Sequence, residues 1–114
     1  MNKLDFDKIV NNRLDAIEQT LSNKAKEYST DTDKLHNFNV AAQMNNETRE
    51  KALWGMATKH LVSVKDIIDA TTKGNFPSNA MIDEKIGDLI NYLVLLEACL
   101  KERNVVNEPQ VRPF

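Results

Sequence analysis

The sequence predicts an all-α fold, a bundle-like arrangement of four helices. Three observations carry that prediction. The chain has only three Gly and three Pro in 114 residues. Its long segments repeat apolar residues every three or four positions, the period of one helix face. No stretch shows the strict alternation that a half-buried strand requires. A chain of this length holds one domain and is too short for two ordinary ones.

The first helix is expected over about 5–28. Val10, Leu14, Ile17, Leu21, Ala25 and Tyr28 recur at spacings of 4, 3, 4, 4 and 3. Ser29-Thr30-Asp31-Thr32-Asp33 favours turns and caps, so it ends the helix. A short second helix over 34–44 places Leu35, Phe38 and Ala42 on one side, and Asn45-Asn46 breaks it. The third spans about 48–72, with Leu53, Met56, His60, Val64, Ile67 and Thr71 on one face. Lys73-Gly74-Asn75 stops it, since glycine readily takes the left-handed conformation just past a helix end. Phe76-Pro77 forces an extended link, and Ser78 or Asn79 can cap a fourth helix over 79–103. From Leu89 to Leu100 only Asn91 and Glu97 are strongly polar. A helix apolar around most of its girth is buried on several sides, at the centre of the domain or in a subunit interface. Residues 105–114, with two prolines, read as an extended tail whose Val111 and Phe114 could dock on a neighbour.

Charge and composition exclude several partners. Fifteen basic residues face seventeen acidic ones, and no two Lys or Arg are adjacent. That argues against polymeric nucleic acid, which needs a basic face. The longest apolar run, Leu93 to Leu96, has four residues, against roughly 20 for a membrane span. With no secretory signal and a single cysteine, the expected compartment is the cytoplasm. Gly-rich phosphate loops, G-x-S-x-G, H-E-x-x-H and paired metal-ligand cysteines are all missing. In Leu53-Trp54-Gly55-Met56 the glycine suggests a close helix approach.

Two groups of polar residues could carry chemistry. Glu84, Asp88 and Asn91 follow i, i+4, i+7 spacing into the apolar half of the fourth helix. A carboxylate there must be paired or hold a cation. Lys59, Ser63 and Asp66 repeat that spacing on the third helix, beside His60. Either Lys59 pairs with Glu84 or Asp88, or the two carboxylates hold Mg²⁺, which takes one or two carboxylates plus phosphate and water oxygens. The second group is Lys24, Glu27, Tyr28, Asp31, Asp33, His36 and Asn37, where a helix gives way to a loop. It suits the mouth of a ligand site, and equally a set of helix-end pairs and caps.

Glu84 to Leu93 resembles the E-E-x-G-D-x-x-x-Y helix of the MazG-like all-α nucleoside triphosphate pyrophosphohydrolases. It is closer still to small phage-encoded proteins allied to them, including the nucleotide-modification-associated domain. Those proteins share K-x-x-E-Y (Lys24 to Tyr28), H-N-F (His36 to Phe38) and A-L-x-G-M-x-x-K-H-x-V-S (Ala52 to Ser63). The resemblance covers residues 24 to 100 and implies a homo-oligomeric helical bundle, dimer or tetramer, with a nucleotide and Mg²⁺ site between helices. Metal ligands would be Glu84 and Asp88. Glu84, Asp88 and Glu27 are the candidate catalytic carboxylates. Lys24, Tyr28, Asp31, His36, Lys59, His60 and Asn91 would contact the nucleotide. The chain departs from the hydrolases at two points. Lys85 stands three residues before Asp88, where an acid is usual, and Lys59-His60 replaces the expected E-E-x-x-E.

Two functions follow as expectations. One is a phage-type nucleotide-handling protein in the host cytoplasm, binding a (deoxy)nucleoside phosphate, with hydrolysis left open. The other is a non-catalytic helical oligomerisation module in which Lys59, Asp66, Glu84 and Asp88 form a structural salt-bridge network.

Overall fold

The computed structural model describes residues 1–23 and 35–107, and every regular element among them is helical. α1 (Lys3–Glu18) starts at Asn2, whose Oδ1 accepts from the Asp5 N–H at 2.8 Å. It passes into a π-helical turn at Gln19–Asn23. The expected continuation to Tyr28 lies outside the described residues.

α2 (His36–Met44) buries Leu35, Phe38 and Ala42, the three residues expected on its inner side. Asn46 ends the connection with a positive φ of 53°, a conformation Asn tolerates better than most residues. α3 (Arg49–Thr72) is capped by Thr48, whose Oγ1 accepts from the Lys51 N–H. It stops at Gly74, where φ is +89°. The Gly74 and Asn75 N–H groups donate back to Thr71 and Ala70, satisfying carbonyls the helix leaves open. Ser78 caps α4 (Asn79–Asn107) by accepting from Met81 N–H at 3.1 Å. α4 runs past the expected end at 103. No breaker intervenes until Pro109, which disfavours helical backbone only at Glu108. The rest of the expected tail, with Val111 and Phe114, lies outside the described residues.

α3 and α4 form an antiparallel hairpin about the turn at Gly74. Its core is Leu35, Phe38, Leu53 and Cys99, with Met56, Tyr92, Leu95 and Leu96 packed around them. α2 closes one side of the hairpin at this level. Among the described residues no helix is long and apolar enough to cross a membrane.

Three expectations change. The α1 stripe has the right period but little to cover it: Val10 and Leu14 are exposed, and no α1 residue is buried. α1 attaches instead through Arg13, whose guanidinium donates to the Asp83 carbonyl at 3.3 Å. That guanidinium lies over Gly87, where a Cβ would stand 2.6 Å from Nη1. Gly55, expected at a close helix approach, faces open space, with nothing within 4 Å of a built Cβ. Within one chain, α4 is not buried on several sides: Leu93, Val94 and Leu100 are all exposed.

Candidate site at the centre of the helical hairpin

His60 and Asp88 lie equally far from Gly74, on α3 and α4 respectively, so the antiparallel hairpin brings them face to face. His60 Nδ1 is 3.7 Å from Asp88 Oδ2. That is too long for a hydrogen bond, yet close enough for attraction whenever the imidazole carries a proton. The ring of His60 stacks on Tyr92, with centroids 4.7 Å apart and planes 23° from parallel. Tyr92 in turn meets Phe38 of α2 edge-on at 6.5 Å. One aromatic series therefore ties α3, α4 and α2 together.

Beside it lies a narrow cleft of about 60 Å³. Phe38, Tyr92 and Leu95 form its apolar wall, and Thr20 and Leu21 of the π-helical turn approach from the other side. Asp88 and Asn91 supply its polar atoms. Asn91 Oδ1 is buried and accepts no hydrogen bond. A buried acceptor without a donor costs about 1–3 kcal/mol, so this atom is a place where the fold gives up stability.

The other expected residues are not drawn into this group. Lys59 is exposed and makes no ion pair with a described residue. The pairing of Lys59 with Glu84 or Asp88 is therefore not formed. Neighbouring positions on a helix point about 100° apart, and His60, not Lys59, occupies the inner face. Glu84 is exposed, and its carboxylate approaches Lys85 at 3.9 Å. His36 opens α2 and is exposed. Asp66 is exposed and joins no network with Lys59, Glu84 and Asp88. Lys24, Glu27, Tyr28, Asp31 and Asp33 lie outside the described residues. Among the described residues no group of three or more His, Cys, Asp or Glu side chains is arranged to hold a metal ion. Glu84 and Asp88 are two carboxylates one turn apart on α4.

The charge network that does form was not foreseen. Arg49 donates to Glu102 at 2.8 Å, to the Cys99 carbonyl at 3.2 Å and to Asn39 of α2 at 3.4 Å. Arg103 grips Glu50 with two hydrogen bonds, at 3.0 and 2.7 Å. Glu50 is 14% exposed, and the Arg103 guanidinium holds its carboxyl below the usual range. The signal was available: Arg49-Glu50 and Glu102-Arg103 are opposite-charge pairs nearly equidistant from the glycine turn. Burial pushes the adjacent Cys99 thiol upward, so it stays protonated at neutral pH.

Comparison of the chain with protein-family models, with curated proteins and with solved structures finds no match.

Proposed function

We propose that this protein binds a small (deoxy)nucleoside phosphate at the His60–Asp88–Tyr92–Asn91 group of a MazG-like helical hairpin, as a phage-type nucleotide-handling protein. The unpaired Asn91 Oδ1 carries the reading. It offers a buried acceptor, at an aromatic wall, to an N–H donor such as the edge of a nucleobase. A base edge reaches that atom as the cleft between α4 and the π-helical turn widens, with the sugar and phosphates at its mouth. There His60 supplies a cation when protonated, and Lys59 lies one residue away. Asp88 and Glu84 furnish two carboxylates for a Mg²⁺ ion that arrives with the phosphates and draws its other ligands from phosphate and water.

Thermal shift across a panel of nucleotides, with and without Mg²⁺, tests this. Ligand at 100 times its Kd should add about 2.7 kcal/mol of stability. Asp88→Ala should reduce the shift. Release of phosphate or pyrophosphate from any binding nucleotide then decides whether a bond is broken. No shift across the panel overturns the proposal.

A second reading, a helical self-association module, draws on a different observation: large apolar side chains of α3 and α4 that a single chain leaves exposed.

A further inference from the structure

The cleft beside Asn91 has room for a few water molecules, so a nucleobase enters only if one of its walls moves. Two walls are fixed. Phe38 is 5% exposed in the core, and Tyr92 and Leu95 pack against that core. The third wall, Thr20 and Leu21, belongs to the π-helical turn that continues α1. α1 buries none of its residues. Among the described residues its only polar contacts with another element are those of Arg13 with Asp83, to the carbonyl at 3.3 Å and toward the carboxylate at 3.7 Å. A helix with no buried residue and one polar tie is the part of a fold that opens most readily.

α1 also has space to move into. Its earlier turns border a groove of about 490 Å³, with Ile9 and Ala16 on one side and Asn79, Ile82 and Asp83 on the other. Ile9 and Ile82 are 53% and 36% exposed there. Along α4 the groove comes first, at 79–83, then Gly87, then the cleft at 88–95. Along α1 the groove again comes first and the π-helical turn last. The Arg13 guanidinium rests over Gly87, between the two openings, where any side chain at 87 would displace it. We infer that α1 with its π-helical turn is a lever gate, seated by Arg13 on Gly87, that closes the groove as it uncovers the Asn91 cleft. A continuous helix moves as a rigid element, so a swing of Ile9 toward Ile82 lifts Thr20 and Leu21 at the other end. Covering Ile9 and Ile82 offsets the apolar contacts that Leu21 gives up. The gate rests on the nucleotide reading for its purpose, but not for its motion.

Maleimide labelling of the full chain, without nucleotide, tests the gate. Asn91→Cys places a thiol at the cleft, and the native Cys99, fully buried in the core, reports global unfolding in the same molecule. Tandem mass spectrometry resolves the two sites. Position 91 should react roughly tenfold faster than Cys99, yet more slowly than the same thiol in denaturant. Arg13→Ala unseats the lever, so it should speed position 91 about threefold, the worth of one modest hydrogen bond, and leave Cys99 unchanged. Ile82→Trp fills the groove at the far end, so it should slow position 91 by about threefold. An α1 that is merely loose does not give that last result. If Asn91→Cys loses helical circular dichroism, Leu21→Cys replaces it with the same expectations. Equal rates at the two thiols in every variant overturn the inference. So does a rate at position 91 that Ile82→Trp leaves unchanged or raises, or one as fast in the native protein as in denaturant. With no nucleotide present, a static α1 and a failed nucleotide panel are separate results.

Discussion

The imidazole of His60 lies stacked on the phenol ring of Tyr92, at 4.7 Å between centroids, one turn of α4 from the Asp88 carboxylate. The stack holds the plane of the imidazole, and Nδ1 lies 3.7 Å from Asp88 Oδ2. Such a ring is oriented before a ligand arrives, which lowers the ordering cost of binding. Tyr92 also contacts Phe38, so the position of His60 depends on α2 docking.

Asn91 gives the clearest stability test. Replacing a buried, unpaired amide oxygen by an apolar side chain of similar size removes a desolvation cost of about 1–3 kcal/mol. Asn91→Leu should therefore raise Tm by several degrees, at roughly 4–8 °C per kcal/mol. The same substitution should abolish any nucleotide-induced shift. A lower Tm would mean that the amide supports the fold rather than a ligand.

The Glu50–Arg103 pair sets a pH dependence. The folded-state pKa of Glu50 is depressed, chiefly by the Arg103 hydrogen bonds. Its stabilising contribution is thus fully present above the ordinary carboxylate pKa, about 4.3, and fades as pH falls through the folded value. The Tm gap between wild type and Glu50→Gln should be widest near neutral pH and close as acidification protonates Glu50 in the folded state. A gap that widens on acidification would contradict the assignment.

The two helical glycines should respond differently. Gly55→Ala meets open space and gains helix propensity, about 1 kcal/mol of stability. At Gly87 the same gain is offset, because the new Cβ displaces the Arg13 guanidinium and frees α1. Chemical denaturation should show a higher midpoint for Gly55→Ala. Limited proteolysis should show faster cleavage within residues 3–18 for Gly87→Ala alone.

Cys99 should be inert. Its side chain is fully buried and burial raises its pKa, so neither access nor thiolate is provided. Labelling by a maleimide at neutral pH should be slow in the native protein and fast in denaturant. Rapid native labelling would show that the α3–α4 core opens readily.

Much of the helical order was legible because it rests on local chemistry. The caps at Thr48 and Ser78, the glycine at 74 and the inner face Leu35-Phe38-Ala42 each act within a turn or two of chain. The site was legible only in part. Spacing singled out Asp88, Asn91 and His60, but it could not say that His60 rather than Lys59 faces Asp88. That choice depends on the rotation of α3 about its axis. The Arg49–Glu102 and Glu50–Arg103 pairs were missed because their partners are some fifty residues apart in the chain.

By itself the sequence determined that the described residues are helical, the breaks at Asn45-Asn46 and at Lys73-Gly74-Asn75, and the apolar character of α4, since period and capping are properties of neighbouring residues. Only the tertiary structure decided which apolar residues are covered. It buried Leu53 and Cys99, left Leu61, Leu93 and Leu100 bare, and placed an unpaired Asn91 oxygen beside an aromatic wall. Periodicity marks a face as apolar, but packing determines whether another helix of the same chain covers it.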